Sequence, residues 1–305
     1  MNHKNILILG GTGFVGRRII ENLRNKEETI ICMTRKKSHH SNGVVFKHWD
    51  THDKAVLASQ IEEARIIINL CGEPIIGKPW TPFQRKKLSH SRINITKQIA
   101  SVINQAHEVP ELWINASAVG IYPSRSKEDF KQPFDEDSKK ADTFIGKLCQ
   151  DWEKYTVLSQ SRTRVVNTRL GVVLGREGGA YKKLYPLFNL ALGHGLGSGD
   201  QAFPWIHIND VVNVFSHIIQ NKDLKGPLNV VAPKACTVRE FCLCFAKLLR
   251  RPFWGMLPSF LPELLLGDMM KLVTEGQFVV SKKLSPDLFE FKQIEGALKN
   301  LILKN

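Results

Sequence analysis

The sequence lacks the features that mark several large classes of protein. Its six cysteines include no Cys-x-x-Cys pair, so neither a zinc site nor a disulfide framework is indicated, and a reducing compartment fits. No apolar run reaches the roughly 18 residues of a membrane span, and the first predicted strand begins by residue 6, which leaves no room for a secretion signal. We therefore expect a cytoplasmic protein with no metal site and no membrane partner.

Acidic residues are scarce relative to basic ones. The 43 Lys and Arg residues against 29 Asp and Glu residues give a formal net charge of +14, which favours anionic partners such as phosphorylated cofactors or nucleic acids. The basic residues are dispersed, apart from short clusters at residues 35–37 and 85–87, and no nucleic-acid recognition motif is present. We expect no nucleic-acid partner, and the sequence does not determine the oligomeric state.

Glycine is concentrated in a turn near the start of the chain. The apolar run 6–9 predicts a buried parallel strand, and Gly10, Gly13 and Gly16 follow it. Glycines adopt positive φ and let the backbone approach a pyrophosphate, and a helix over residues 14–25 would direct its free N–H groups at the phosphates. Because a strand precedes the turn and a helix follows it, we favour a dinucleotide site over a tight turn without a ligand.

No acid stands where a ribose-binding acid is expected. A second strand is predicted over residues 29–34, and it ends at Arg35, nineteen residues after the last glycine, with Lys36 and Lys37 next. An acid at this place would bond the ribose 2′-OH, whereas an arginine pairs with a 2′-phosphate. The predicted cofactor is therefore NADP (NADPH) rather than NAD; the alternative is a solvated basic loop.

Strands and helices alternate over the first 170 residues. Apolar runs at 65–70, 112–116 and 164–170 predict strands, and the stretches about 82–106 and 141–159 between them have helical length and periodicity. Such alternation predicts an α/β protein with a Rossmann-type doubly wound parallel sheet and helices on both faces.

The later part of the chain is rich in glycine and then in proline and leucine, and it predicts a second unit. We assign residues 1–175, completed by about 206–232, to a dinucleotide-binding domain. Residues 176–205 and 233–305 are assigned to a smaller, mostly helical substrate-side lobe. Within that lobe, residues 237–240 fit a capping box at the start of a helix.

Several motifs occur in a fixed order along nearly the whole chain. With GGTGFVG (10–16), NASAVGIY (115–122) and WIHIND (205–210) the chain resembles extended short-chain dehydrogenase/reductases, the NAD(P)-dependent epimerase/dehydratase proteins. More narrowly it resembles YfcH-type epimerase-family proteins, through NLCGEPI (69–75), SR (91–92), RLGVVLG (169–175) and GLGSG (195–199). Its end, from Arg251 to Leu284, is similar to the C-terminal domain of unknown function in that group.

The resemblance implies a set of cofactor contacts. The set is Gly10, Thr12, Gly13, Phe14, Val15, Gly16, Thr34, Arg35, Leu70, Cys71, Gly72, Arg92 and Val173. The backbone N–H groups of the glycine turn would bind the pyrophosphate, and Thr34 and Arg35 would hold the ribose phosphate. Residues 70–72 would flank the ribose and adenine side, and Val173 would lie near the nicotinamide. Arg92 would add a second charge toward cofactor or substrate, unless it is a surface arginine.

The catalytic residues implied by the resemblance are incomplete. The superfamily uses a Ser or Thr at the end of the fourth strand and a Tyr-x-x-x-Lys on the next helix, where the Lys and the cofactor lower the pKa of the Tyr. Ser117 and Lys147 take two of these places, but the tyrosine place falls on Thr143. A threonine hydroxyl has a pKa far above the value of about 10 for tyrosine, so it cannot replace the phenol. Ser117 could instead make a local strand-end hydrogen bond, and Lys147 could be a surface lysine.

Other residues could substitute for the missing tyrosine. Tyr122 lies near the same loop, His194 and His207 could titrate near neutrality, and Glu73 follows a cofactor-side strand, although each also has a structural interpretation. Two hypotheses follow. The first is an NADP-dependent oxidoreductase or epimerase-like enzyme with a non-standard active site and an unidentified small-molecule substrate. The alternative is a non-catalytic NADP-binding regulatory or scaffold protein.

Overall fold

The computed structural model describes residues 5–24, 28–51, 53–124, 132–258 and 267–303. The strands are β1 (Asn5–Leu9), β2 (Thr29–Thr34), β3 (His39–Ser41), β4 (Val44–His48), β5 (Ala64–Asn69), β6 (Leu112–Ala118), β7 (Arg164–Leu170), β8 (Val172–Gly175), β9 (Gly195–Leu196), β10 (Ala202–Phe203), β11 (Trp205–His207), β12 (Gly226–Val230), β13 (Cys236–Thr237) and β14 (Met256–Leu257). The α-helices are α1 (Phe14–Leu23), α2 (Lys54–Glu62), α3 (Pro82–Gln105), α4 (Phe144–Val157), α5 (Gly179–Asn189), α6 (Ile208–Gln220), α7 (Val238–Leu249), α8 (Lys271–Thr274) and α9 (Ile294–Leu303).

The centre of the fold is an eight-stranded sheet in the order β12-β7-β6-β5-β1-β2-β4-β3. All neighbouring pairs are parallel except β3 and β4, which are antiparallel. The chain winds outward from β1 through β2 to β4, then returns to β5 and winds the other way to β12. The strand order therefore reverses between β1 and β5, and in open α/β sheets ligands bind at the carboxyl ends of such a pair.

The apolar strands form the sheet because both of their faces are covered. In β1, Ile6 and Ile8 point into the cluster under α1 and α6, whereas Leu7 and Leu9 point into the cluster under α2 and α3. Successive side chains of a strand point to opposite faces, so a continuous apolar run fits only a strand with helices on both sides. The predicted doubly wound sheet is thereby confirmed.

A third apolar cluster joins α5, α7 and α9 with β11, beside the large sheet. Three two-stranded sheets, β10 with β13, β11 with β8 and β14 with β9, lie in this part of the chain. The predicted capping box is present at the start of α7. The Thr237 hydroxyl accepts from the Glu240 N–H at 3.1 Å, and the Glu240 carboxylate accepts from the Thr237 N–H at 2.8 Å.

Some local predictions needed correction. The helix predicted over 141–159 begins at Phe144, because the Thr143 side chain accepts from the Gly146 N–H at 3.1 Å and caps it. The helix predicted over 14–25 ends at Leu23, and residues 39–48 and 54–62 form β3, β4 and α2, which were not predicted. Within the described residues no helix is both long and apolar enough to cross a membrane.

Candidate functional site

The glycine turn lies at the point where the strand order reverses. Gly10 has a φ of +81°, and a Cβ there would lie 2.8 Å from the Leu70 carbonyl carbon. The Gly13 N–H donates to the Gly10 carbonyl at 3.0 Å, and a Cβ on Gly16 would lie 2.6 Å from that same oxygen. The turn between β1 and α1 is therefore so tightly packed that side chains at Gly10 and Gly16 would disrupt it.

The first turn of α1 has the properties of an anion site. Its N-cap is Gly13, which offers no side chain to the N–H groups of the first turn, and Thr12 and Gly13 are exposed. The Phe14 ring lies against the turn after β8, since Cβ atoms on Gly175 and Gly178 would fall about 2.5 and 2.4 Å from it. A helix N-terminus that presents N–H groups and a positive dipole end to an open surface fits a phosphate.

At the end of β2, the predicted ribose-phosphate residues differ in exposure. Thr34 is buried, and its hydroxyl oxygen accepts from the Lys36 N–H at 3.2 Å, whereas Arg35 is exposed. Across the described ranges no carboxylate forms an ion pair with Arg35. Its charge is therefore not neutralised within that part of the chain, which fits a 2′-phosphate.

The segment after β5 runs beside the glycine turn. The Leu70 N–H donates to the Leu9 carbonyl at 2.8 Å, and the Cys71 N–H donates to the Asn69 side chain at 3.2 Å. Burial raises the pKa of the Cys71 thiol to about 12, so it stays protonated and is no nucleophile near neutrality. Gly72 is exposed. These hydrogen bonds hold Leu70 and Cys71 beside the glycine turn, where the resemblance implies that residues 70–72 flank the ribose and adenine side of the cofactor.

Arg92 is not a surface residue, and its guanidinium is hydrogen-bonded within the protein. Its side chain is buried, its guanidinium lies 5.2 Å from the Trp152 ring, and it donates to the carbonyls of Glu73 at 2.9 Å and Leu88 at 3.3 Å. A Cβ on Gly72 would lie 2.9 Å from it. Burial lowers the pKa of Arg92. Arg92 therefore lies behind the 70–73 segment and supports it.

Ser117, the predicted catalytic hydroxyl, is bonded within the protein. It is buried in β6, and its Oγ donates to Glu153 Oε1 at 2.7 Å. Glu153 in turn accepts two hydrogen bonds from Arg169, at 2.9 and 2.8 Å. Because a hydroxyl has a single proton, Ser117 cannot polarise a substrate carbonyl while it donates to Glu153. This geometry favours the structural interpretation of Ser117.

Tyr122 belongs to the same buried network. Its hydroxyl donates to Asn229 at 2.8 Å and accepts from Arg169 at 2.6 Å, and only 1% of its surface is exposed. Burial raises the pKa of Tyr122 to about 12, against the opposing charge and hydrogen bond of Arg169. Its phenol therefore releases no proton near neutrality, and packing explains its position.

Lys147 lies on the exposed side of α4. Its Nζ pairs with Asp142 at 3.0 Å, and the two side chains are 61% and 94% exposed. Thr143, at the tyrosine place, is the N-cap of the same helix and does line a cleft, described below. The structure thus gives Lys147 the geometry of a surface lysine and does not bring it to Ser117.

The remaining candidates have structural contacts. His207 is buried, its Nδ1 accepts from the Asn209 N–H at 3.2 Å as the N-cap of α6, and its ring lies 4.0 Å from that of Phe291. Partial burial would raise the pKa of Glu73, but Lys87 and Lys78, at 3.2 and 3.6 Å, lower it below its ordinary value. His194 lies before β9, and Val173 pairs with Ile206 in the β8–β11 ladder. None of these positions adds a proton donor to Ser117.

A cleft of about 200 Å³ lies beyond the end of β6 and beside the start of α4. We call it the strand-end cleft; its lining residues are Trp80, Arg85, Gly120, Tyr122, Ser124, Thr143, Phe144, Ile145, Lys271, Glu275 and Gln277. Ser124 donates to Glu275 at 2.7 Å. Within the described ranges no group of three or more His, Cys, Asp or Glu side chains could hold a metal ion.

Comparison with known proteins agrees with this geometry. Residues 6–231 match the NAD dependent epimerase/dehydratase family. The chain belongs to that family. A domain of unknown function, DUF1731, matches residues 257–301.

Relatives of this family member cover nearly its whole length. The epimerase family protein SDR39U1 homolog, chloroplastic, of Arabidopsis thaliana is 32% identical over 94% of this chain and 83% of its own. The epimerase family protein YfhF of Bacillus subtilis is 31% identical over 98% of each chain. A crystal structure of human epimerase family protein SDR39U1 (isoform 2) with NADPH is 30% identical, with a TM-score of 0.86 over 99% of this chain and 100% of that one.

The DUF1731 segment supplies one wall of the strand-end cleft; the sequence placed residues 233–305 in a substrate-side lobe but predicted none of the lining residues in it. Lys271, Glu275 and Gln277 come from it, and Gly276 lets it approach, because a Cβ there would collide with the backbone of Ala202. Local sequence does not indicate these contacts, because Ser124, which donates to Glu275, lies 151 residues earlier in the chain.

Proposed function

We propose that the protein binds NADP(H) and uses it as an oxidoreductase or epimerase-like enzyme on a small molecule in the strand-end cleft. One observation carries the cofactor part. The uncapped first turn of α1, the glycine packing behind it and the unneutralised Arg35 lie along one sheet edge, and together they suit a phosphorylated dinucleotide. The NADPH in the human relative supports it.

Each part of the cofactor has candidate residues. The N–H groups from Thr12 to Val15 would bind the pyrophosphate, and Thr34 and Arg35 would bind the 2′-phosphate. Residues 70–72, held in place by Arg92, would flank the ribose, and Val173 would lie on the nicotinamide side. When bound, such a cofactor supplies or accepts a hydride at its nicotinamide ring.

The cleft offers its own groups for proton transfer. Thr143 and Ser124 present hydroxyls at its exposed edge, and the Glu275 carboxylate lies within hydrogen-bond distance of Ser124. Glu275 is the one carboxylate among the described lining residues, so it is the candidate to move a proton on a substrate there.

A second candidate function also rests on an observation. Ser117 donates inside the protein and Lys147 is paired at the surface, so the standard catalytic pair is not assembled. These contacts favour a regulatory or scaffold protein that binds NADP(H) without turnover. Steady-state oxidation of NADPH with any member of a panel of carbonyl compounds would support the enzyme; tight binding with no turnover would support the second function.

The cofactor is tested by thermal shift with NADPH and NADH. We expect NADPH to stabilise the protein more, and Arg35→Glu to remove that preference because it puts a negative charge beside the 2′-phosphate. Lys222→Glu is the matched control, since Lys222 is an exposed cation before the amino end of β12. Equal stabilisation by both cofactors, or an unchanged preference in Arg35→Glu, would overturn the assignment.

A further inference from the structure

We propose that His48 and His39 are positioning residues that determine the preference of this protein for NADP(H). Their rings hold residues 35–38, which we call the basic turn, in the conformation that receives the 2′-phosphate. The proposal deepens the proposed function, because it rests on the assignment of the 2′-phosphate to Arg35. It is carried by the place of the basic turn in the fold and by the hydrogen bonds that its backbone makes.

The basic turn begins beside the glycine turn. β1 and β2 are parallel neighbours, and Leu9 pairs with Met33, so both strands end at the same edge of the sheet. The glycine turn starts there at Gly10 and the basic turn at Arg35. Residues 35–37 are exposed cations. The backbone that carries them therefore lies along the edge where the cofactor is proposed to bind.

Two imidazole rings bond to the backbone of the basic turn. The Nδ1 atom of His48 lies 3.0 Å from the Lys36 carbonyl oxygen, and the Nδ1 atom of His39 lies 3.0 Å from the Lys37 carbonyl oxygen. Because a carbonyl oxygen only accepts, each Nδ1 carries a proton and donates it. The imidazolium also carries a proton on Nδ1, so these bonds do not depend on the charge of the rings.

The two rings are themselves attached to β4. His39 pairs with Phe46 across β3 and β4, and the two rings stack at 4.5 Å with an interplanar angle of 2°. His48 is the last residue of β4, and its N–H donates to the Ser38 hydroxyl oxygen at 2.8 Å. The histidines therefore connect the basic turn to a strand of the large sheet.

These bonds restrict the backbone of the basic turn. The Lys36 N–H donates to the Thr34 hydroxyl oxygen at 3.2 Å, so both backbone polar groups of Lys36 are bonded to side chains. A segment that is already ordered binds its ligand without the loss of conformational freedom that a free loop undergoes. NADH has no phosphate for this segment to bind, so the ordering of the basic turn should strengthen binding of NADPH alone.

The test is the ratio of the Kd values for NADPH and NADH, measured by isothermal titration calorimetry on the full chain. His48→Ala should lower the preference for NADPH about fivefold, because one net hydrogen bond contributes about 1 kcal/mol, and it should leave the affinity for NADH unchanged. His39→Ala should act in the same direction. Both side chains are exposed, and the unfolding temperature of each variant shows that it is folded.

Two further variants separate the hydrogen bond from the ring and its charge. His48→Asn should keep the preference for NADPH, because asparagine Nδ2 takes the place of Nδ1 and also donates. His40→Ala is the matched control, since His40 is the neighbouring exposed histidine of β3 and its ring makes no hydrogen bond to any described residue. Its preference should equal that of the unmodified protein.

Several outcomes would overturn the proposal. Equal losses of affinity for NADPH and NADH in His48→Ala would indicate a general structural role, and a loss in His48→Asn as large as in His48→Ala would indicate that the ring acts directly on the phosphate. An unchanged preference in either alanine variant of His39 or His48, or an equal effect of His40→Ala, would also refute it. Equal binding of both cofactors by the unmodified protein would refute the NADP assignment itself. Loss of the preference in Arg35→Glu but not in His48→Ala would refute the positioning role alone.

Discussion

Replacing Glu153 with glutamine removes the negative charge that faces Arg169 inside the protein. The Arg169 and Glu153 side chains are 2% and 8% exposed, and two of their atom pairs lie 2.8 and 2.9 Å apart. Burial would lower the pKa of Arg169, but the hydrogen bond and charge of Glu153 raise it above its ordinary value. Glutamine keeps the shape but leaves a buried cation without a counter-ion, which costs about 3–5 kcal/mol of unfolding free energy.

The assay is urea unfolding at neutral pH, followed by circular dichroism. Asp142→Asn is the control, because it breaks the exposed pair with Lys147 and should change the unfolding free energy by no more than about 1 kcal/mol. The double variant Glu153→Gln with Arg169→Gln should recover part of the loss, since no unpaired charge remains. A loss in Glu153→Gln as small as in the control, or a double variant that loses the sum of the two single effects, would refute the reasoning.

Two further predictions concern other parts of the fold. Gly16→Ala should reduce the stabilisation by NADPH in a thermal-shift assay, because its Cβ would lie 2.6 Å from the Gly10 carbonyl oxygen. Gly296→Ala in α9, where the nearest neighbour of the new Cβ is 3.9 Å away, should add about 0.5–1 kcal/mol of stability. An equal loss of unfolding temperature in the two variants would contradict the packing argument. Burial raises the pKa of Asp210 to about 6, although hydrogen bonds from the N–H groups of Glu290 and Phe291 act in the opposite direction. Between about pH 4 and 6, Asp210 is therefore protonated in the folded state and ionised in the unfolded chain. The contribution of Asp210 to the unfolding free energy is therefore full below about pH 4 and falls by about 3 kcal/mol as the pH rises through 6, and parallel pH profiles for the protein and Asp210→Asn in urea unfolding would disprove this.

The cofactor side of the molecule was largely predictable because its signals are local. The apolar run of β1, the glycines after it and the basic residues at the end of β2 each lie within a few consecutive residues. A strand-turn-helix unit depends on backbone conformation and on which faces are apolar, and both follow from local sequence. The start of α4 was predicted three residues too early, at residue 141 instead of Phe144, because it depends on a single hydrogen bond from the Gly146 N–H to the Thr143 side chain.

The chain by itself determined that a doubly wound sheet forms and that a glycine turn ends its first strand. Only the tertiary structure decided what the polar side chains do. Ser117 donates to Glu153, 36 residues further along the chain, and Arg92 packs behind residues 70–73. The cleft joins the start of α4 to the DUF1731 segment. Buried polar groups must find partners wherever the fold brings them, and sequence spacing carries no information about contacts between distant elements.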